Sequence, residues 1–212
     1  LTDALSVYIK EGRLASYLLS SWLDIGDPWN LLDANDSLMQ AFDDEISGTV
    51  EEGVYIRGNL ILGSSSVIKS GTYIEGQCVI GENCIIGPHA YIRGSTTIGD
   101  DCHIGHSTEI KNSIIFNNTK IPHFNYVGDS VIGSGCNFGA GTKIANLRHD
   151  RKNVKVLGRD TKRRKFGAVV GDNVQLGINC SVNTGTVIGS RVTAAPGSYI
   201  EGKINDDVKI GR

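Results

Sequence analysis

Three observations predict an all-β chain built as a parallel β-helix, with a short helical segment ahead of it. An aliphatic residue recurs at every sixth position from Val50 to Ile110, through Ile56, Leu62, Ile68, Ile74, Ile80, Ile86, Ile92, Ile98 and Ile104. Glycine often follows it, as at Gly63, Gly81, Gly87, Gly99 and Gly105. The fourth residue after it is small or compact, as at Ser66, Thr72, Cys78, Cys84, Ala90, Thr96, Cys102 and Thr108. A period of six fits neither a helix nor simple strand alternation. It fits one short strand and one turn per unit, with three units closing a triangular coil. Residues one rung apart then stack about 4.8 Å from each other. The aliphatic points into the prism, and the glycine permits the corner.

Composition agrees. The 212 residues are 40% hydrophobic, enough for one domain with a sizeable core and something smaller beside it. Twenty-seven glycines and only 7% aromatic residues suit a narrow prism filled with aliphatics. A net charge of -2 offers no basic excess to recruit nucleic acid or a membrane surface. No secretory signal and no long apolar run is present, so a cytoplasmic protein is the default expectation. Cys78, Cys84, Cys102, Cys136 and Cys180 all fall on the small inward position of a repeat, which reads as buried thiols packed as small hydrophobes.

Residues 1–46 carry no six-residue period. Thr2 to Gly12 reads as a short helix and Tyr17 to Ile25 as a strand without an obvious partner. Asp27 before Pro28 is a helix start of the cap and first-turn-proline kind, with Leu31, Leu32, Leu38, Met39 and Phe42 as one apolar face. The prism is expected from near Gly48, within a domain spanning 47–212. Its phase slips by one residue to Ile115, Ile121 and Val127, then again to Ile132, Phe138 and Ile144. Local rule-breaking of this kind often marks a site. Residues 147–167 break the repeat and hold nine Lys or Arg, which predicts an inserted loop or hairpin projecting from one corner. The period resumes at Val170, Leu176, Val182 and Ile188, and runs out loosely through Ile200, Ile204 and Ile210.

The segments HFNYVGDSVIG (His123 to Gly133) and NFGAGTKIAN (Asn137 to Asn146) resemble the acetyltransferase half of bifunctional sugar-1-phosphate nucleotidylyltransferase/acetyltransferases, in their archaeal form, within the hexapeptide-repeat acyltransferases. WLDIGDPWNLLDAN (Trp22 to Asn35) resembles the end of the nucleotidyltransferase domain in the same proteins. The resemblance implies a left-handed coil, an exception to the right-handed crossover rule. It also implies a homotrimer with sites between subunits. The implied reaction moves acetyl from acetyl-CoA to glucosamine-1-phosphate, with galactosamine-1-phosphate as a further candidate acceptor.

Carried over residue by residue, His123 is the expected general base, with Asn146 beside it. Arg93 stands 30 residues before His123 and Lys111 12 before. These two, with Tyr126, Asn137 and Lys152, are the expected substrate contacts. Gly139, Ala140, Asn146, Ile178 and Pro196 are the expected acetyl-CoA contacts. Asp24 matches a Mg²⁺-holding aspartate that needs an upstream nucleotidyltransferase domain, so residues 1–46 read as its remnant and a linker, and no metal is expected in this chain. Ile178 and Pro196 replace a serine and an alanine of the bacterial pattern, Leu147 replaces a tyrosine, and the sequence stops at Arg212 without the bacterial terminal arm.

The chemistry is consistent on its own terms. Acetyl transfer to an amine needs a base that titrates near neutrality, and imidazole does. Backbone N–H groups of a turn such as Gly139 to Gly141 are suited to an oxyanion. Arg93 and Lys111 each follow an inward aliphatic 18 residues apart, so they should stack outward on adjacent rungs, with Glu75 one rung below Arg93 as a partner. Duller readings stand beside these. His103 and His106 make an H-x-x-H, but a zinc site on this prism needs three histidines and the others lack a supporting spacing. Lys162 to Lys165 is most simply a solvated tip, or else meets the 3′-phosphate of CoA. A non-catalytic trimerisation or regulatory domain is the competing reading from another functional class.

Overall fold

The computed structural model describes residues 2–211 and is a left-handed parallel β-helix of three faces; Leu1 and Arg212 lie outside the described residues. Two faces are nine-stranded sheets and the third is eight-stranded, all with parallel pairing. The first face runs from Glu45–Ile46 to Lys203–Ile204, the second from Thr49–Val50 to Lys209–Ile210, and the third from Tyr55–Arg57 to Tyr199–Ile200.

Why the chain coils this way is legible in one inward column. On the third face Ile56, Ile74, Ile92, Ile110, Val127, Ile144, Val182 and Ile200 lie in register, one per rung. From Ile74 onward they are buried, as part of one core that runs the length of the prism. The two slips expected from the sequence are there, since Ile98 pairs with Ile115 and Ile115 with Ile132. The rung is one residue shorter at each, yet the inward column stays continuous because the residue is lost at a corner. Gly139, at the corner between the second and third faces, shows why a corner can require glycine. A Cβ there would stand 2.5 Å from the Gly177 carbonyl carbon and the Ile178 nitrogen of the next rung.

The five cysteines occupy the interior as expected. Burial pushes the Cys78 thiol up to about 12 and the Cys136 thiol up to about 11.

The N-terminal segment departs from expectation in three ways. Helix α1 (Thr2–Lys10) forms but buries nothing, and Tyr17 to Ile25 is exposed irregular chain, not a strand. Helix α2 spans Asn30–Met39, with Trp29 at its N-cap. Pro28 lies in the turn before it, and Asp27 gives its side chain to Arg159 rather than to a cap. Trp29, Leu32, Ala34 and Met39 are buried, whereas Leu38 is 75% exposed.

This helix docks on the prism. Trp29 and Leu32 pack with Ile114 and Val131 of the first face and with Val154, Val156 and Phe166 of the insert. Asn35 donates to the Ser95 carbonyl at 2.9 Å and accepts from the Thr97 hydroxyl at 2.6 Å.

The insert does not project. Its base is closed by a bridge between Leu147 and Lys165 and by the Phe166 N–H donating to the Asn146 carbonyl at 2.9 Å. Lys155–Val156 and Arg159–Asp160 form a small antiparallel hairpin whose apolar side chains lie under helix α2. Lys162 to Lys165 therefore run along the returning limb to its base instead of forming a tip, with Lys162, Arg164 and Lys165 exposed to solvent as expected. Among the described residues no helix is long and apolar enough to cross a membrane.

Structural thiols packed in a closed interior are inert because a reagent cannot reach them. The native chain should therefore resist a thiol-specific reagent at neutral pH and release all five equivalents only on denaturation; fast labelling of the native protein would contradict this packing.

Candidate functional site

The expected site residues fall into two groups on the prism. The first lies on the third face, near its corner with the first. The Cα register places Arg57, Glu75, Arg93 and Lys111 in one outward column, as the 18-residue spacing requires. The cations in it are not bare. Arg93 Nε donates to Glu109 Oε1 at 2.7 Å, while Glu75 accepts from the Tyr91 hydroxyl instead of pairing with Arg93.

Lys111 Nζ donates to both oxygens of Asp129 at 2.8 Å, and the Asp129 side chain is only 3% exposed. Asn112 Nδ2 donates to the same carboxylate at 2.8 Å and Asn146 Nδ2 at 2.5 Å. Asn146 Nδ2 also reaches the Tyr126 hydroxyl at 2.9 Å. Burial, followed by the charges of Glu109 and Asp129, pushes the Tyr126 phenol above its ordinary value, so it stays a neutral hydroxyl. Lys111, Tyr126 and Asn146 are thus joined through one buried carboxylate.

Asp129 was not among the expected residues, though the signal for it existed: it lies 18 positions after Lys111. The slip puts Gly128 in the Lys111 register and leaves Asp129 at the corner, with a φ of 50° that Asp tolerates.

The second group runs along the corner between the second and third faces. His123 is in register with His106, and the Gly141 N–H donates to the His123 carbonyl at 2.9 Å. The Asn179 N–H donates to the Ala140 carbonyl and the Gly197 N–H to the Ile178 carbonyl, each at 2.8 Å. In a parallel ladder this pattern aligns His123, Ala140, Ile178 and Pro196 on successive rungs.

His123 is exposed, and among the described residues its ring has no hydrogen-bond partner. The turn from Gly139 to Gly141 offers less than its sequence implied. The Gly139 N–H donates to the Leu176 carbonyl and the Gly141 N–H to that of His123, so only the Ala140 N–H has no partner among the described residues.

The remaining expected residues lie apart from both groups. Asn137 is on the second face, in register with Lys120 and Gln175. Lys152 is exposed on the insert, where its N–H donates to Asp150. Asp24 lies in the irregular segment before helix α2. His106 of the H-x-x-H packs edge-on between His89 and Phe124, with ring centroids 5.8 and 5.2 Å away.

Residues 74–166 match the family model described as the GMPPB C-terminal domain, and residues 167–201 that of the hexapeptide repeat of succinyl-transferase. The chain is 50% identical over 211 residues to the bifunctional protein GlmU of Methanococcus maripaludis strain C7, covering 98% of this chain and 51% of the relative. It is 42% identical over 195 residues to the protein of the same name from Methanocaldococcus jannaschii, covering 90% of this chain and 48% of the relative. A bifunctional sugar-1-phosphate nucleotidylyltransferase/acetyltransferase of Sulfurisphaera tokodaii is 43% identical over 217 residues, covering 100% of this chain and 53% of the relative. The chain belongs to the hexapeptide-repeat family of these bifunctional proteins. It spans about half the length of the curated relatives it matches.

Removing the Asp129 carboxylate would strand the Lys111 ammonium. Loss of one partner from a buried pair costs roughly 3–5 kcal/mol. Asp129→Ala should lower unfolding free energy by about that much in urea titrations followed by circular dichroism, and Asp129→Asn by less; an alanine variant within about 1 kcal/mol of wild type would mean that the carboxylate does not organise the cluster.

Proposed function

We propose that this chain transfers acetyl from acetyl-CoA to the amine of glucosamine-1-phosphate, with galactosamine-1-phosphate as a second acceptor. The setting would be a bifunctional protein whose other half makes the nucleotide sugar, with any Mg²⁺ and a role for Asp24 confined to that half. The observation that carries this reading is the pairing, on one corner, of an exposed imidazole with a free backbone donor on the next rung. His123 supplies the first and Ala140 the second.

The amine attacks the thioester carbonyl carbon, and its proton passes to His123 as the tetrahedral intermediate forms. The Ala140 N–H faces the charge that develops on the carbonyl oxygen. Collapse breaks the C–S bond, and the departing thiolate takes the proton back from the imidazolium. The column of Ala140, Ile178 and Pro196 supports the acetyl-CoA side, while Tyr126 and Asn146 support the sugar side.

Asn137 stands on a different face from Tyr126, and this supports sites that span two prisms. We place the second face of one subunit against the third face of the next in a closed homotrimer, because helix α2 and the insert cover the first face, and Asn137 would then complete its neighbour's site.

His123→Ala should lower kcat by roughly 10²–10⁴-fold while the assembly state is retained. Thiol release from acetyl-CoA in the presence of glucosamine-1-phosphate measures it, and near wild-type turnover in the variant would remove His123 from the role of base.

A further inference from the structure

One residue at the end of the insert takes part in two arrangements at once. The side chain of Phe166 is fully buried in the seam under helix α2, where Trp29 meets it edge-on with ring centroids 6.2 Å apart. Its backbone belongs to the site. The Phe166 N–H donates to the Asn146 carbonyl and the Gly167 N–H to the Asp129 carbonyl, each at 2.9 Å. The two residues held in this way are the ones whose side chains meet, with Asn146 Nδ2 on the Asp129 carboxylate.

The backbones are in close contact there. A Cβ at Gly167 would stand 2.1 Å from Ser130 Oγ and 2.3 Å from the Gly128 carbonyl oxygen, on the two residues that flank Asp129. The strand that leaves the insert therefore lies directly on the chain around Asp129, and a displacement of Phe166 is passed on to it. Lys111, Asn112 and Asn146 all aim at that one carboxylate, so moving it disturbs the whole cluster.

Helix α2 fixes where Phe166 sits. Trp29 is only 6% exposed and is itself held, since Arg159 of the insert lies over its ring, 5.6 Å from the centroid, and donates to Asp27 Oδ2 at 2.8 Å. Asp33 of the helix pairs with Arg163, three residues before Phe166. The sequence reads residues 1–46 as a remnant and a linker, whereas this packing gives their second helix a share in the site.

We infer that Trp29 is a positioning residue for acetyl transfer: by packing on Phe166 it sets the place of Asn146 and Asp129, and through them of Tyr126 and Lys111, on the acceptor's side of the site. The inference rests on the acetyl-transfer reading above for the reaction and the acceptor. Being buried, Trp29 acts only through these contacts. A misplacement of about 1 Å caused by a remote change can cost about 100-fold in rate, so an anchor at this distance is enough to matter.

The test compares the full chain with Trp29→Ala, with Trp29→Phe, and with Met39→Ala, which truncates another buried residue of the same helix outside the Phe166 seam. Trp29→Leu takes the place of the alanine variant if that one fails to fold. Steady-state thiol release gives KM for glucosamine-1-phosphate and for acetyl-CoA, and amide hydrogen exchange reports on the Phe166 and Gly167 N–H groups directly. Trp29→Ala should raise KM for glucosamine-1-phosphate about 10-fold or more, leave KM for acetyl-CoA in place and speed exchange at both amides. Trp29→Phe keeps a ring against Phe166 and should stay close to wild type, as should Met39→Ala. An equal loss in Trp29→Ala and Met39→Ala, a joint rise in both KM values, or no change in either would overturn the inference. If the wild-type chain turns over no amino sugar, the acetyl-transfer reading fails separately. Exchange then decides: faster exchange at Phe166 and Gly167 in Trp29→Ala but not in Met39→Ala upholds the positioning role, and unaltered exchange overturns it.

Discussion

The inward stacking of aliphatic side chains, one per strand and one rung above another, is the constraint on which the rest of this structure depends. It fixes the spacing of outward residues at about 4.8 Å along each column. It also explains why a residue is lost only at corners, where the inward column is not interrupted. Ile110, Val127 and Ile144 remain stacked through both short rungs, so the slips change what faces outward without cost to the core. His123 and Asp129 both lie beside the shortened rungs. A rigid scaffold that tolerates irregular corners is what lets polar chemistry sit on so regular a fold.

The site is organised by neutralised charge more than by exposed charge. Asp129 is buried and would be unfavourable alone, but Lys111, Asn112 and Asn146 satisfy it. The consequence is positional, since Asn146 and Tyr126 are held by a network with few alternative arrangements. Helix α2 extends the same logic to the insert. Its apolar side chains cover the first face and its Asp33 holds Arg163, so a segment preceding the prism in sequence orders the loop that borders the site.

Much of this was legible in the sequence because a β-helix converts position into place by simple arithmetic. The six-residue period gave the inward residues, the two slips and the Arg93–Lys111 column. The family resemblance, not the period, singled out His123, Ala140, Ile178 and Pro196, and their alignment on one corner follows from the register. What was not legible depends on side chains reaching off their own column. Asp129 leaves the Lys111 register by one residue and returns through its carboxylate. Glu109, not Glu75, reaches Arg93 because Glu75 is taken by Tyr91. The N–H groups of Gly139 and Gly141 are spent in the ladder, which a turn motif does not reveal. Outside the period the reading weakened. Nothing in residues 17–25 marks them as irregular, and nothing in the insert marks Val154, Val156 and Phe166 as the partners of Trp29.

An exposed imidazole and a free backbone N–H on neighbouring rungs are together proposed to carry acetyl transfer to an amine. The most direct measurement sets glucosamine-1-phosphate against glucose-1-phosphate, which presents a hydroxyl in place of the amine, in acetyl-CoA turnover by the purified chain. The account predicts thiol release matched mole for mole by N-acetylated product with the amino sugar, and only background hydrolysis with glucose-1-phosphate. Equal thiol release with both, or none above hydrolysis with either, would contradict it.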